Sequence, residues 1–240
     1  MKTVLITGAS SGIGLSLAEL YAANGFHVIA CGRNKSNLEL LINNIQAKGC
    51  SAEYLCFDIT DKLAIEQVAK HVSKPIDILL LNAGDCEYIK DTIPFDNALF
   101  ERVINVNLVS LGHMLTYFLD KIPCGGQLVF VSSIATVMPF PQAHAYGASK
   151  AGVDYLANTL RFDLLSQDIA VTLIHPGFVK TPLTDKNDFS MPCLLSTTEA
   201  AQRIFKGINA RKSYLAFPKR FVYALKVLSL MPNFLWYRLV

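Results

Sequence analysis

Short apolar runs rich in β-branched residues alternate along this chain with longer stretches whose apolar positions recur at helical spacing. The runs are TVLIT (3–7), FHVIAC (26–31), AEYLCF (52–57), IDILLL (76–81), QLVFVS (127–132) and AVTLIH (170–175). Most are apolar without alternation, the pattern of a strand whose sheet is covered on both faces. Helical spacing runs from Gly14 to Asn24 and stops before Gly25; a second stretch, 37–48, stops before Gly49, a residue suited to helix ends. Further helices are expected over Asp61–Val72, 96–120 and 144–167. Strand and helix in turn predict an α/β fold, a doubly wound parallel sheet with right-handed crossovers. The rhythm runs from Thr3 to His175 with no repeat or linker, so one domain over residues 1–240 is expected. Residues 176–197, with Pro176, Gly177, Pro182 and Pro192, read as a surface loop of the kind that covers a substrate site.

Composition narrows the function classes. The 240 residues are 52% hydrophobic and 17% charged, enough for a full core. Lys plus Arg is 22 against 19 for Asp plus Glu, a net charge of +3. No basic stripe interleaves with aromatics, so nucleic acid is not an expected partner. Six cysteines stand at 31, 50, 56, 86, 124 and 193 with no C-x-x-C. Cys31 and Cys56 lie in apolar runs, so buried reduced thiols and a cytoplasmic location are expected. The histidines at 27, 71, 113, 144 and 175 lack metal-ligand spacing, and no metal site is expected. The apolar run near Met1 is shorter than a signal sequence needs. The run FVYALKVLSLM is interrupted by Lys226 and followed by Pro232, too short for a bilayer span of about 20 residues.

The first strand leads directly into TGASSGIG, residues 7–14, and then a helix. In that setting Gly8, Gly12 and Gly14 allow a tight turn and close approach of a pyrophosphate to the backbone. The helix N-terminus offers free N–H groups, and Ser10 and Ser11 add hydroxyls. The second strand ends in ACGRN, where an NAD-selective site places Asp or Glu against the ribose. Gly32 stands there instead, followed by Arg33, whose guanidinium could pair with a 2′-phosphate. NADP(H) is therefore expected over NAD(H), the alternative being an Arg33 that stacks on adenine or faces solvent. Tyr146 and Lys150, four apart on an expected helix, share one face. An ammonium about 4–5 Å from a phenol could lower the phenol pKa by about two to three units before desolvation opposes it.

The spacing G-x-x-x-G-x-G, with LNAG (81–84), NVN (105–107), VSS (131–133), YGASK (146–150) and HPGFVKT (175–181), resembles the short-chain dehydrogenase/reductase family. The resemblance covers most of the chain and implies a Rossmann-type sheet of about seven strands. It also implies Ser133, Tyr146, Lys150 and Asn107 as the catalytic set, with Ser133 holding the substrate oxygen and Asn107 a relay water. Gly8, Ser10, Ser11, Gly12, Ile13 and Gly14 would hold the cofactor phosphates, with Arg33 and Asp58 at its adenosine end. Asn82, Ala83, Gly84, Pro176, Gly177, Val179 and Thr181 would line the rest of the cofactor, with Tyr146 and Lys150. Asp58 could instead cap a helix in competition with Thr60 and Asp61, and Thr181 could be a capping hydroxyl. Two departures stand out: Ser11 replaces a basic residue of many NADP-preferring relatives, and Leu81 replaces the first of two asparagines.

The expected activity is reduction of a carbonyl, or oxidation of the matching alcohol, on a small apolar substrate walled by Val137, Met138, Phe140, Phe178 and Leu183. The rivals are a protein that binds NADP(H) without catalysis and an epimerase on the same scaffold. The family implies a homo-oligomer, a dimer or tetramer. The apolar tail, residues 219–240, admits packing over the pocket, subunit contact or a membrane surface, with the first two placed ahead of the third.

Overall fold

The computed structural model describes residues 1–187 and 189–232. Seven strands form one parallel sheet: β1 (Thr3–Thr7), β2 (His27–Gly32), β3 (Ala52–Cys56), β4 (Ile78–Leu81), β5 (Gln127–Val131), β6 (Ala170–Pro176) and β7 (Tyr214–Phe217). Their order is β3-β2-β1-β4-β5-β6-β7. The chain thus works outward from β1 in one direction, returns, and continues from β4 in the other. The return opens a crevice beyond the carboxyl ends of β1 and β4, where doubly wound sheets bind ligands.

Strand alternation splits each apolar run between two cores. Val4 and Ile6 face helices α1 (Gly12–Ala23), α2 (Lys35–Ala47) and α7 (Thr197–Asn209), through Leu17, Leu41 and Ile204. Leu5, Leu79 and Phe130 face α3 (Lys62–His71), α5 (Ser110–Phe118) and α6 (His144–Asp163), through Ile65, Phe118 and Val153. Caps stop fraying where propensity alone would not: Asn34 accepts from the N–H of Asn37, and Asp61 from those of Leu63 and Ala64.

The helix expected over 96–120 is in fact three pieces: α4 (Asn97–Ile104), a π-helical turn at Asn105–Val109, and α5. The wide turn points Asn107 inward and leaves Asn105 exposed. Two elements went unforeseen. Helix α7 starts with a reciprocal capping box between Ser196 and Glu199, and β7 adds the seventh strand. Helix α8 (Lys219–Leu228) follows β7. The expectation of buried thiols holds for Cys31, and Cys86 is buried too, but Cys50 is half-buried and Cys56, Cys124 and Cys193 are exposed; Cys56 closes β3 at the edge of the sheet, where one side has no neighbouring strand.

Candidate active site

The turn from β1 into α1 is built on steric closeness. A Cβ on Gly14 would run into the carbonyl oxygen of Gly8, so only glycine lets the turn close. Ser11 flanks the helix start without a side-chain cap, and the first turn has no acidic residue. The first N–H groups of α1 therefore stay available at its positive end. Asn82 braces the loop: its side-chain amide donates to the Thr7 carbonyl at 3.0 Å, while the Thr7 hydroxyl accepts from the N–H groups of Asn82 and Ala83 at 2.9 and 3.0 Å.

A cleft of about 340 Å³ opens over this turn. Gly8, Ser10, Ser11, Gly12 and Ile13 line it from the loop, and Arg33 from the end of β2. Asn82, Ala83 and Gly84 line it after β4, and Pro176, Gly177, Val179 and Thr181 after β6. Ser133, Tyr146 and Lys150 close the remaining side. Three expected residues lie off this lining. Gly14 is buried in α1, Asn107 sits behind the wall, and Asp58 stands at 3.5 Å from the Arg33 guanidinium. Asp58 does not cap α3, a role Asp61 takes; its carboxylate instead accepts from the Thr60 N–H and hydroxyl. Thr181 serves two ends, lining the cleft while its hydroxyl accepts from the Thr184 N–H at 3.3 Å.

Ser133 lies two residues beyond β5, at the start of a short 3-10 turn, and Tyr146 and Lys150 sit in the first two turns of α6, so sheet–helix packing brings them together. Burial lifts the Tyr146 phenol above its ordinary range; the nearby Cys86 sulfur adds to this, and a hydrogen bond with Ser133 opposes it. Burial likewise pulls Lys150 from 10.5 down to about 8, against the resistance of Cys86 and Asp154. The expected lowering of the phenol by Lys150 is not what this geometry gives. The ammonium turns to the Val131 carbonyl at 3.0 Å and stands 5.9 Å from the Tyr146 ring centre, so desolvation outweighs attraction. Asn107 is saturated: its amide oxygen accepts from the Asp85 N–H at 2.7 Å, and its amide nitrogen donates to the Asp85 carbonyl and the Ser149 hydroxyl. A Cβ on Gly84 would meet both Asn107 Oδ1 at 3.1 Å and Lys150 Nζ at 3.3 Å, which places the two side chains around one backbone.

A family model described as short chain dehydrogenase matches residues 2–190. The chain belongs to the short-chain dehydrogenase/reductase family. It is 33% identical to an uncharacterized oxidoreductase of Myxococcus xanthus, over 97% of this chain and 93% of that one. A fatty acyl-CoA reductase of Acinetobacter baylyi is 32% identical, over 90% of this chain and 75% of its own. Among solved structures, a short-chain dehydrogenase from Sphingobium yanoikuyae in complex with NADPH superposes with a TM-score of 0.81. It is 28% identical and matches over 91% of this chain and 88% of its own.

In this short-chain dehydrogenase the uncapped helix start and glycine turn suit a dinucleotide pyrophosphate. Some lining residues carried no signal in the sequence. Phe57 and Ile59, from the loop after β3, reach the cleft only because that loop meets the end of β1 and the π-helical turn carrying Val106 there. Asp85, which follows Gly84 at the cleft, anchors Asn107 through its backbone. Of the expected apolar wall, Leu183 lines the cleft; Met138 clusters with Val222 and Leu225 of α8, and Val137 and Phe140 pack against that cluster. Phe178 meets Phe221 of α8 and Phe189 of the loop at ring separations of 5.8 and 6.0 Å. His175 is a buried core residue between Asp154 and Tyr214, at 2.9 and 3.1 Å. Among the described residues no group of His, Cys, Asp and Glu gathers to hold a metal ion.

Proposed function

We propose that this oxidoreductase uses NADP(H) to reduce a carbonyl of a small, largely apolar substrate, or to oxidise the matching alcohol, with Tyr146 as acid and base. The observation that supports it is one cleft with the glycine turn on one side and Ser133, Tyr146 and Lys150 on the other. A bound nicotinamide would supply or accept the hydride. The Ser133 hydroxyl orients the substrate oxygen, and Tyr146 passes its phenolic proton to it. Lys150 offers a positive charge on the same face, and Asn107 fixes the backbone beneath it through Asp85. Substrate contact falls to Leu183 and the loop carrying Phe178.

NADP(H) is favoured by what ends β2: Gly32 presents no carboxylate, and the Arg33 side chain is 70% exposed at the cleft edge. Its pairing with Asp58 is long at 3.5 Å and solvated, so a 2′-phosphate dianion would compete well for it. The test is NADPH oxidation across ketones, aldehydes, quinones, steroids and acyl thioesters, with NADH in parallel. The expected result is turnover of at least one carbonyl with NADPH ahead of NADH. Tight NADPH binding with no turnover across the panel would leave the non-catalytic reading in its place. Faster oxidation of NADH would overturn the part assigned to Arg33.

A further inference from the structure

Helix α8 has two apolar faces, and the fold uses one. Val222 and Leu225 are buried against Ile134 and Met138, while Phe221 meets Phe178. On the opposite face Tyr223, Val227 and Leu230 are 64%, 69% and 84% exposed. Their spacing of four and three residues aligns them in one stripe along the helix and the turn after it. Single exposed apolar residues are ordinary, but a stripe of three large ones is not.

Charge says what this stripe suits. At 3.6 residues per turn, Lys219, Arg220 and Lys226 fall on the same half of the helix as the stripe and flank it. Lys226 already lies over the Tyr214 ring at 5.3 Å, so Lys219 and Arg220 are the freer pair. All 19 acidic residues of the chain lie at or before Glu199. The modest net charge of +3 therefore hides a separation, with an acid-free, basic C-terminal region set against an acidic remainder. After Pro232 the sequence reads NFLWYRLV, residues 233–240, aromatic and aliphatic with one more arginine. No helix among the described residues is long and apolar enough to cross a membrane. Apolar side chains flanked by cations with long stems, aromatics close by and no acidic residue match a helix lying in the headgroup layer of an anionic bilayer.

We propose that the outer face of α8 docks this protein on anionic membrane surfaces. The inner face keeps its structural place beside the Ser133 segment, so one helix would join the pocket side to the lipid surface.

The test is co-sedimentation of the full chain with phosphatidylcholine vesicles, with and without phosphatidylserine. Binding is expected only with phosphatidylserine, weakening as salt rises. Lys219→Glu with Arg220→Glu should lower the partition coefficient on the order of a hundredfold. Tyr223→Ser, Val227→Ser and Leu230→Ser together should lower it on the order of tenfold or more. Point changes are preferable to truncation, which would also strip Val222 and Leu225 from Met138. An unchanged thermal midpoint verifies that each variant is folded. Absence of the wild-type chain from the phosphatidylserine pellet would overturn the proposal. So would a stripe variant that changes oligomer size while vesicle binding stays the same, since a second copy would then cover the face. Binding of duplex DNA with none to vesicles would overturn it as well.

Discussion

Lys150 is a buried ammonium whose nearest hydrogen-bond partner is a neutral carbonyl, that of Val131. Desolvation brings its pKa from 10.5 to about 8, so the charged form dominates below that pH and the neutral amine above it. If the charge assists Tyr146, kcat/KM for carbonyl reduction should fall as pH rises through about 8. A pH–rate profile checks this, and a flat profile across that value would remove Lys150 from the reading. The sign for stability is the opposite: the unfolded chain holds this proton more tightly, so the cost of burying the charge fades as pH rises from about 8 towards 10.5. Tyr146→Phe removes the phenolic proton and no backbone contact. Turnover should drop by at least about a hundredfold, while NADPH affinity measured by fluorescence stays within a few-fold. At this scale the pair itself was legible, since four residues on a helix share a face whatever surrounds them. The direction of the phenol shift was not. It depends on how deeply β5 and α6 bury the group and on the neighbouring Cys86, which comes from a separate loop after β4.

The turn between β1 and α1 sets a harder steric limit than any single side chain. Gly14→Ala would gain about 1 kcal/mol of helix propensity. The added methyl would press on the Gly8 carbonyl, a backbone atom that cannot move aside, and overpacking of this kind costs about 1–3 kcal/mol. The clash should win, with a lower urea midpoint and weaker NADPH binding; an unchanged midpoint would show that the turn can relax. Ser196→Ala removes one half of the capping box of α7 and should cost about 0.5–2 kcal/mol, read from the same urea titration. The glycine turn was readable because its residues are contiguous. The π-helical turn at Asn105–Val109 was not, because its extra residue per turn follows from the inward hydrogen bonds of Asn107, which reach Asp85 and Ser149 across the chain. Strand β7 was also missed: four residues, YLAF, are too few to separate from a loop until β6 pairs with them.

For the whole molecule, the two cores on either side of the sheet carry the stability. Phe118 is fully buried at the end of α5, against the sheet face that carries Leu79 and Phe130. Phe118→Ala should cost about 3–5 kcal/mol, enough to show as a large fall in the thermal midpoint, and an effect below about 1 kcal/mol would mean that the core collapses around the gap. The alternation of apolar runs with helical spacing determined the class of fold, the parallel sheet and the six strands from β1 to β6, because burial on both faces dictates that pattern locally. The contiguous motifs determined the glycine turn and the Tyr146–Lys150 face for the same local reason. Only tertiary structure decided the rest: that Arg33 stands beside Asp58, that Met138 leaves the cleft for α8, and that Tyr223, Val227 and Leu230 end on the outside. Each of those depends on which elements become neighbours, and neighbours far apart in the chain are chosen by packing of the whole sheet rather than by any short stretch of residues.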